Sequence, residues 1–143
     1  MALTQNETTA LFSFFNDTTT RRVINNGPMR IIDRDGKSTI YFNAVPDGDF
    51  ANPASFTDGT PVLVASLRHQ VIIDTITGSF TATFVLSVLS HESFSLGAKD
   101  FRLGKVGQTL RLTFIGRLNA SPPPAAHIAG FVVGGDLTRF GTD

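Results

Sequence analysis

The chain has 143 residues, the usual length of one domain, so we expect a single domain over residues 1–143. It contains no cysteine, which excludes disulfides, thiolate metal sites and cysteine nucleophiles. Twelve basic residues balance twelve acidic ones without gathering in one segment, so we expect no nucleic-acid partner.

The beginning of the chain has no pattern typical of a targeting segment or a membrane anchor. Residues 1–9 are polar, and the apolar run over residues 10–15 is too short for a signal-peptide core or a membrane span. Small secreted proteins usually contain cysteine. We therefore expect a cytoplasmic protein with no membrane partner, and secretion is the alternative.

The first half of the chain is predicted to form short strands followed by a long loop. Val, Ile, Thr and Phe crowd its periodic segments and favour strands over residues 10–15, 23–33 and 37–43, the second of them interrupted near Gly27-Pro28. Between the last two strands, Asp35-Gly36 is typical of a tight hairpin turn. Residues 44–61 carry three prolines and two Asp-Gly pairs, which predicts a long loop with one helical turn.

The second half has a stronger strand pattern. Residues 62–74 and 79–91 alternate over their whole length and are joined by a hairpin at residues 75–78. Further strands are predicted over residues 94–96, 101–103, 108–118 and 126–133. Each long strand has one almost purely apolar face and one mixed face, which is typical of a single-layer closed sheet. We therefore predict an all-β fold, a single antiparallel β-barrel of about eight strands, with a β-sandwich as the alternative.

His69 is the most informative candidate for catalysis. It shares a strand face with Leu63, Leu67 and Val71, where an imidazole must find a partner or stay neutral. A core histidine that is satisfied by a neighbour is the common situation, whereas the functional alternative is a general acid/base inside the barrel. The opposite face carries Arg68 and Gln70, which would replace His69 if that face were the interior.

Two further groups of residues complete the candidate site. Tyr41 is the only tyrosine and a third catalytic candidate, although a lone tyrosine is commonly a rim residue. Thirteen phenylalanines are more than one small core needs, which predicts a cavity for an apolar ligand. The candidate ligand-binding residues are Phe50, Phe56, Leu67, Gln70, Phe80, Phe84 and Phe114. We expect the loop over residues 44–61 to close one mouth of the barrel, with Phe50 or Phe56 pointing inward.

Metal and cofactor motifs do not occur in the sequence. No histidine has a second histidine at a spacing typical of metal ligands, and the scattered glycines do not form a phosphate-binding loop. There is no nucleophile elbow of the Gly-x-Ser-x-Gly type. We therefore expect neither a metal nor a cofactor.

Residues 62–135 show a characteristic order of features. A long strand is followed by a turn at residues 75–78, a strand over residues 80–84, a short hairpin near residues 101–104, a strand over residues 110–114 and an apolar segment at residues 128–135. This order resembles the small eight-stranded barrels of the allene oxide cyclase and dirigent type. The resemblance implies a hydrophobic small molecule inside the barrel and, in some members, its cyclisation by shape without a cofactor.

Two functions follow as hypotheses. The first is the binding of an apolar small molecule inside the barrel, with a cyclase or isomerase activity that needs no cofactor. The alternative is a non-enzymatic assembly or recognition protein, a homo-oligomer that acts through its surface and loops. A cavity of a few hundred Å³ would favour the first hypothesis, and a filled interior would favour the second.

Overall fold

The computed structural model describes residues 4–134 and the backbone of residues 137–140, and these contain β-strands and no α-helix. The strands are β1 (Phe12–Asn26), β2 (Met29–Phe42), β3 (Thr60–Asp74), β4 (Ser79–His91), β5 (Ser93–Leu96), β6 (Lys99–Leu103), β7 (Thr109–Leu118), β8 (Ala126–Gly134) and β9 (Leu137–Phe140). The prediction of an all-β fold is confirmed. Within the described residues, no helix is long and apolar enough to cross a membrane.

The strands form two antiparallel sheets. The larger sheet has six strands in the order β1-β2-β3-β4-β7-β8, and the smaller one has the order β5-β6-β9. In the described part of the chain the larger sheet ends at β1 on one side and at β8 on the other, and no backbone pairing joins these two edges. The predicted closure into a barrel is therefore not confirmed.

The six-stranded sheet is nevertheless strongly curled. Phe14 and Asn16 of β1 line the same small cavity as Leu112 and Phe114 of β7, although three strands separate β1 from β7 in the sheet. Long strands with a strong twist bring distant edges together in this way. The curled sheet therefore has a concave inner face and a convex outer face.

The first hairpin differs from the sequence prediction. β1 and β2 meet at a turn over Gly27 and Pro28, where Gly27 has a φ of 56°. The predicted turn at Asp35-Gly36 lies inside β2, with Gly36 paired to Thr18. The physical reason is a close approach between strands, because a Cβ atom on Gly36 would collide with the backbone carbonyl oxygen of Asp17. The glycine is needed there for space and not for a turn.

The other strand predictions agree closely with the structure. β3 and β4 form a hairpin over residues 75–78, where Gly78 has a φ of 71°. The predicted helical turn in the long loop is a 3-10 turn at Pro53–Phe56. Between residues 93 and 134, the predicted and observed strands differ by only one or two residues at their ends, whereas β9 was not predicted.

The core lies on the concave face that the alternation predicted to be apolar. Its buried members come from β3 and β4, namely Leu63, Ala65, Leu67, Ala82, Phe84, Leu86 and Val88. Ile40 of β2 and Leu110, Leu112 and Phe114 of β7 pack against this cluster. The prediction that Leu63, Leu67 and Val71 belong to the inner face is confirmed, since Val71 packs against the same cluster.

The smaller sheet covers one end of the concave face. Phe94 of β5 packs against Phe12 and Phe42, with ring centroids 5.1 and 5.2 Å apart. His91, at the end of β4, contacts the carbonyl oxygens of Leu103 and Gly104 through Nδ1 and ties the small sheet to the large one. The part of the concave face near the hairpin over residues 75–78 lies at the opposite end of β3 and β4 from the smaller sheet.

Candidate functional site

A cavity of about 310 Å³ lies on the concave face, towards the hairpin that joins β3 and β4. Five strands contribute to its wall because residues two apart on each strand point to the same side of the sheet. Its lining residues are Ile32, Arg34, His69, Val71, Ile73, Phe80, Ala82, Phe84, Phe114, Leu118 and Ile128. Arg34 and His69 are the polar residues of this lining, and the others are apolar.

His69 occupies the inner wall of this cavity between two neighbours that the strand register fixes. It is paired with Arg34 of β2 on one side and with Phe84 of β4 on the other. The imidazole stacks on the Phe84 ring, with centroids 4.2 Å apart and planes at 12°. Phe84 in turn meets Phe114 edge to face, at a centroid distance of 5.3 Å. The aromatic side chains therefore hold the imidazole in one orientation.

The Nε2 atom of His69 is buried and has no hydrogen-bond partner within the described residues. The other two histidines differ, because His91 contacts backbone carbonyl oxygens and His127 bonds to Asn119 through Nδ1. A buried polar atom without a partner costs about 1–3 kcal/mol. A ligand atom that bonded to this nitrogen would remove the cost, which makes His69 a candidate binding group.

The charge state of His69 follows from its surroundings. Burial lowers its pKa below the usual 6.5, and the positive charge of Arg34 lowers the pKa further. The imidazole is therefore neutral at neutral pH, with one nitrogen that donates and one that accepts a hydrogen bond. A neutral imidazole in an apolar cavity can orient a polar ligand group or take up a proton from it.

Arg34 is a site residue that the sequence prediction missed. It was assigned to a turn, but it lies inside β2 with its Nε donating to Thr20 Oγ1 at 3.3 Å. No acidic side chain forms an ion pair with Arg34 in the part of the chain that the structure describes. If the sequence is taken as one strand through Gly36, its alternation places Ile32, Arg34 and Ile40 on one face. That alternation was the signal from which Arg34 could have been predicted as a residue of the inner face.

The structure separates the predicted site residues into several groups. His69, Phe80, Phe84 and Phe114 come together around the cavity. Leu67 is 1% exposed and belongs to the core, so it does not line the cavity.

The three other candidates on β2 and β3 lie away from the cavity. Arg68 and Gln70 are on the convex face, where Gln70 Nε2 donates to Asp33 Oδ1 at 2.9 Å. Tyr41 lies near the end of β2, paired with Ser13 of β1, and does not line the cavity. Because His69 lies on the concave face, the condition under which Arg68 and Gln70 would replace it is not met.

The two loop phenylalanines line a different space. Phe50 and Phe56 contact each other at 5.3 Å and face a cleft of about 650 Å³ between the start of β1 and the segment before β8. Ser13 Oγ donates to the backbone oxygen of Phe56 at 2.7 Å, which fixes the loop against β1. Neither ring lines the His69 cavity, so Phe50 and Phe56 do not belong to that site, and the closure of a barrel mouth by this loop stays a prediction.

The described residues contain no group of three His, Asp or Glu side chains that could hold a metal ion. No protein-family model matches the chain, and no curated protein or solved structure was found to match it. The resemblance to the allene oxide cyclase and dirigent barrels therefore stays a prediction. The candidate site is defined by its own geometry, an apolar cavity with a neutral histidine and an arginine on one wall.

Proposed function

We propose that the protein binds an apolar small molecule in the cavity on the concave face, with His69 as the group that hydrogen-bonds to it. The observation that carries this proposal is that His69 lines the apolar cavity and that its buried Nε2 atom lacks a protein partner within the described residues. A volume of about 310 Å³ is at the lower end of the range for small-molecule sites. Apolar walls with few convergent polar groups are typical of such sites.

The ligand should have an apolar body and one polar end. The apolar side chains would enclose the body, while His69 and Arg34 would meet a hydroxyl, carbonyl or anionic oxygen. Because Arg34 can only donate hydrogen bonds, an oxygen that accepts them suits this wall better than a donor group. The curled sheet would serve as a barrel-like container, which agrees with the resemblance to small-molecule barrels.

A catalytic role would follow from the same geometry. A neutral imidazole could take a proton from one ligand atom and return it to another, so that the ligand isomerises or cyclises without a cofactor. The aromatic walls would hold the ligand in one conformation and exclude water from the reacting atoms. Such a reaction needs no oxidant or reductant because the ligand keeps its atoms and electrons.

The binding proposal can be tested with 1-anilinonaphthalene-8-sulfonate, a fluorescent apolar probe with one anionic end. We expect saturable 1:1 binding that Ala82→Leu abolishes, since Ala82 is 4% exposed and lines the cavity. His69→Gln should weaken binding by about tenfold, the cost of one hydrogen bond from a desolvated group. Native mass spectrometry of freshly purified protein would show a retained ligand.

The control variant is His127→Gln, because His127 is exposed and outside the cavity. It should leave the affinity unchanged. If Ala82→Leu and His69→Gln both bind the probe as the native chain does, the probe occupies another surface and the proposal is wrong.

The second candidate function is assembly, and a specific feature of β8 favours it. Phe131, Val132 and Val133 are 63%, 57% and 59% exposed, so both faces of this edge strand present apolar side chains. β8 contains no Lys, Glu or Pro, the residues that commonly protect an edge strand from pairing. We infer that a second copy of the chain would pair with this edge. Sedimentation of the native chain and of Val133→Lys would test this, with a dimer expected for the first and a monomer for the second.

A further inference from the structure

A groove of about 510 Å³ on the convex face gathers an unusual number of arginines. Its lining residues come from five neighbouring strands, and the charged ones are Arg21, Arg22, Asp33, Arg34, Asp35, Arg68 and Arg111. Most of its lining residues alternate with His69 along the strands and point to the opposite face of the sheet, but His69 and Arg34 also line it. The proposal below rests on Arg68 and Arg111, which do not line the cavity of the binding site proposed above.

Both carboxylates of the groove already have cationic partners. Arg21 Nε is 2.7 Å from Asp35 Oδ1, and an amino nitrogen of Arg22 is 2.8 Å from Asp33 Oδ2. Asp33 also accepts a hydrogen bond from Gln70, and the Gln70 and Arg22 contacts hold the pKa of this carboxyl below its usual value. Two of the five arginines that line the groove are thus neutralised by ion pairs.

Of the other three arginines, Arg34 donates to Thr20, while Arg68 and Arg111 form no ion pair in the described part of the chain. The charge of Arg68 is nevertheless near enough to Asp33 to contribute to the lowered pKa of that carboxyl. Arg68 is paired across the sheet with Val85, and Val85 is paired with Arg111, so the two arginines flank one residue of β4 on the same face. Strands are about 4.8 Å apart, which places the two Cα atoms about 10 Å from each other. Side chains as long as arginine can converge above the small Val85 side chain from that distance.

We propose that this groove binds a phosphate group between Arg68 and Arg111. Two guanidinium groups outside the ion pairs of the groove match a doubly charged anion, because each can donate two parallel hydrogen bonds to a pair of its oxygens. A monocarboxylate would leave one of the two cations unpaired. Thr83 also lines the groove, and its hydroxyl can donate a further hydrogen bond. Inorganic phosphate and a phosphate ester share this chemistry.

Isothermal titration at low ionic strength with inorganic phosphate, and separately with glycerol 3-phosphate, would test the site. We expect saturable 1:1 binding of both, with affinity lowered about tenfold or more by Arg68→Gln and by Arg111→Gln. Tighter binding of the ester would identify a phosphorylated small molecule as the natural ligand, and equal affinities would identify phosphate itself. Both arginines are exposed, so the variants should keep the native circular dichroism spectrum.

The matched control is Arg117→Gln, an exposed arginine on the same face of β7 that lies outside the groove. It should change the affinity by less than about twofold, since screened charges at that distance interact weakly. An equal effect of all three substitutions would overturn the proposal in favour of diffuse charge attraction. Absence of saturation at about 20 mM phosphate would also overturn it, because that affinity is too weak for a built site.

Discussion

Replacing His69 with leucine should stabilise the unliganded protein while it destroys the proposed binding site. The buried Nε2 atom has no partner, which costs about 1–3 kcal/mol, and leucine removes that cost. The loss of the ring stacking on Phe84 costs about 0.5–1.5 kcal/mol in the opposite direction. The difference between the midpoints of these two energy ranges stabilises the variant by about 1 kcal/mol. A gain of that size raises the Tm of a chain of this length by about 4 °C.

Urea unfolding at pH 8, where the imidazole is neutral in both states, measures this difference directly. Acid provides a second measurement, because the pKa of His69 is lower in the folded than in the unfolded protein. Stability that is fully present above pH ~6.5 is then lost as the pH falls towards the folded pKa, by at most about 1.4 kcal/mol per pH unit. The His69→Leu variant should not show this loss of stability in acid, whereas the His127→Leu variant should show it as the native chain does. A His69→Leu variant that is less stable by more than about 1 kcal/mol at pH 8 would refute the reasoning, because the imidazole would then be a satisfied core residue.

Three further predictions concern other parts of the sheet. Phe84→Ala should lower the free energy of unfolding by about 3–5 kcal/mol in urea, because the ring is 8% exposed in the core, and a loss below about 1 kcal/mol would contradict this. Gln70→Ala should raise the pKa of Asp33 towards its usual value, since the Gln70 hydrogen bond is the main cause of its lowering. A carboxyl NMR titration measures that pKa, and an unchanged value would count against the contact. Gly36→Ala should cost about 1–3 kcal/mol or more in unfolding experiments, because its methyl group would collide with the backbone of Asp17, and a neutral effect would mean that β1 moves freely.

The sequence was sufficient to predict the long strands β3, β4 and β7, because their alternation is uninterrupted, whereas the short strand β9 was missed. β3 and β4 each keep one apolar face over more than ten residues, so a shift of one residue would expose the whole core face. The prediction of the first hairpin was wrong because Asp35-Gly36 is a strong local signal for a turn. In the folded chain this local preference competes with the long-range pairing of β1 and β2. β1 and β2 pair over most of their length, and the hydrogen bonds of that ladder outweigh a two-residue preference.

The faces of the strands were predictable, but the meeting of side chains from distant strands was not. Alternation places His69, Phe84 and Phe114 on apolar faces without showing that they surround one space. Their convergence depends on the curl of the sheet and on the register between strands, which accumulate from many small twists. The pairing of the two groove arginines through Val85 likewise depends on register, because the two residues are 43 positions apart in the chain.

The register around His69 also explains why this residue is a better candidate for binding than for core packing. Its cross-strand neighbours on the inner face are Arg34 and Phe84. A phenylalanine ring offers no conventional hydrogen-bond acceptor, and a guanidinium group can only donate. Arg34 directs its Nε to Thr20, so the Nε2 atom of His69 has no partner from either neighbouring strand. A structural histidine normally has such a partner within reach, as His91 does with the carbonyl oxygen of Gly104 at 2.9 Å. His69 lines the cavity, so the binding proposal predicts that a ligand there supplies the missing partner, and the size and apolar walls of the cavity limit what can enter.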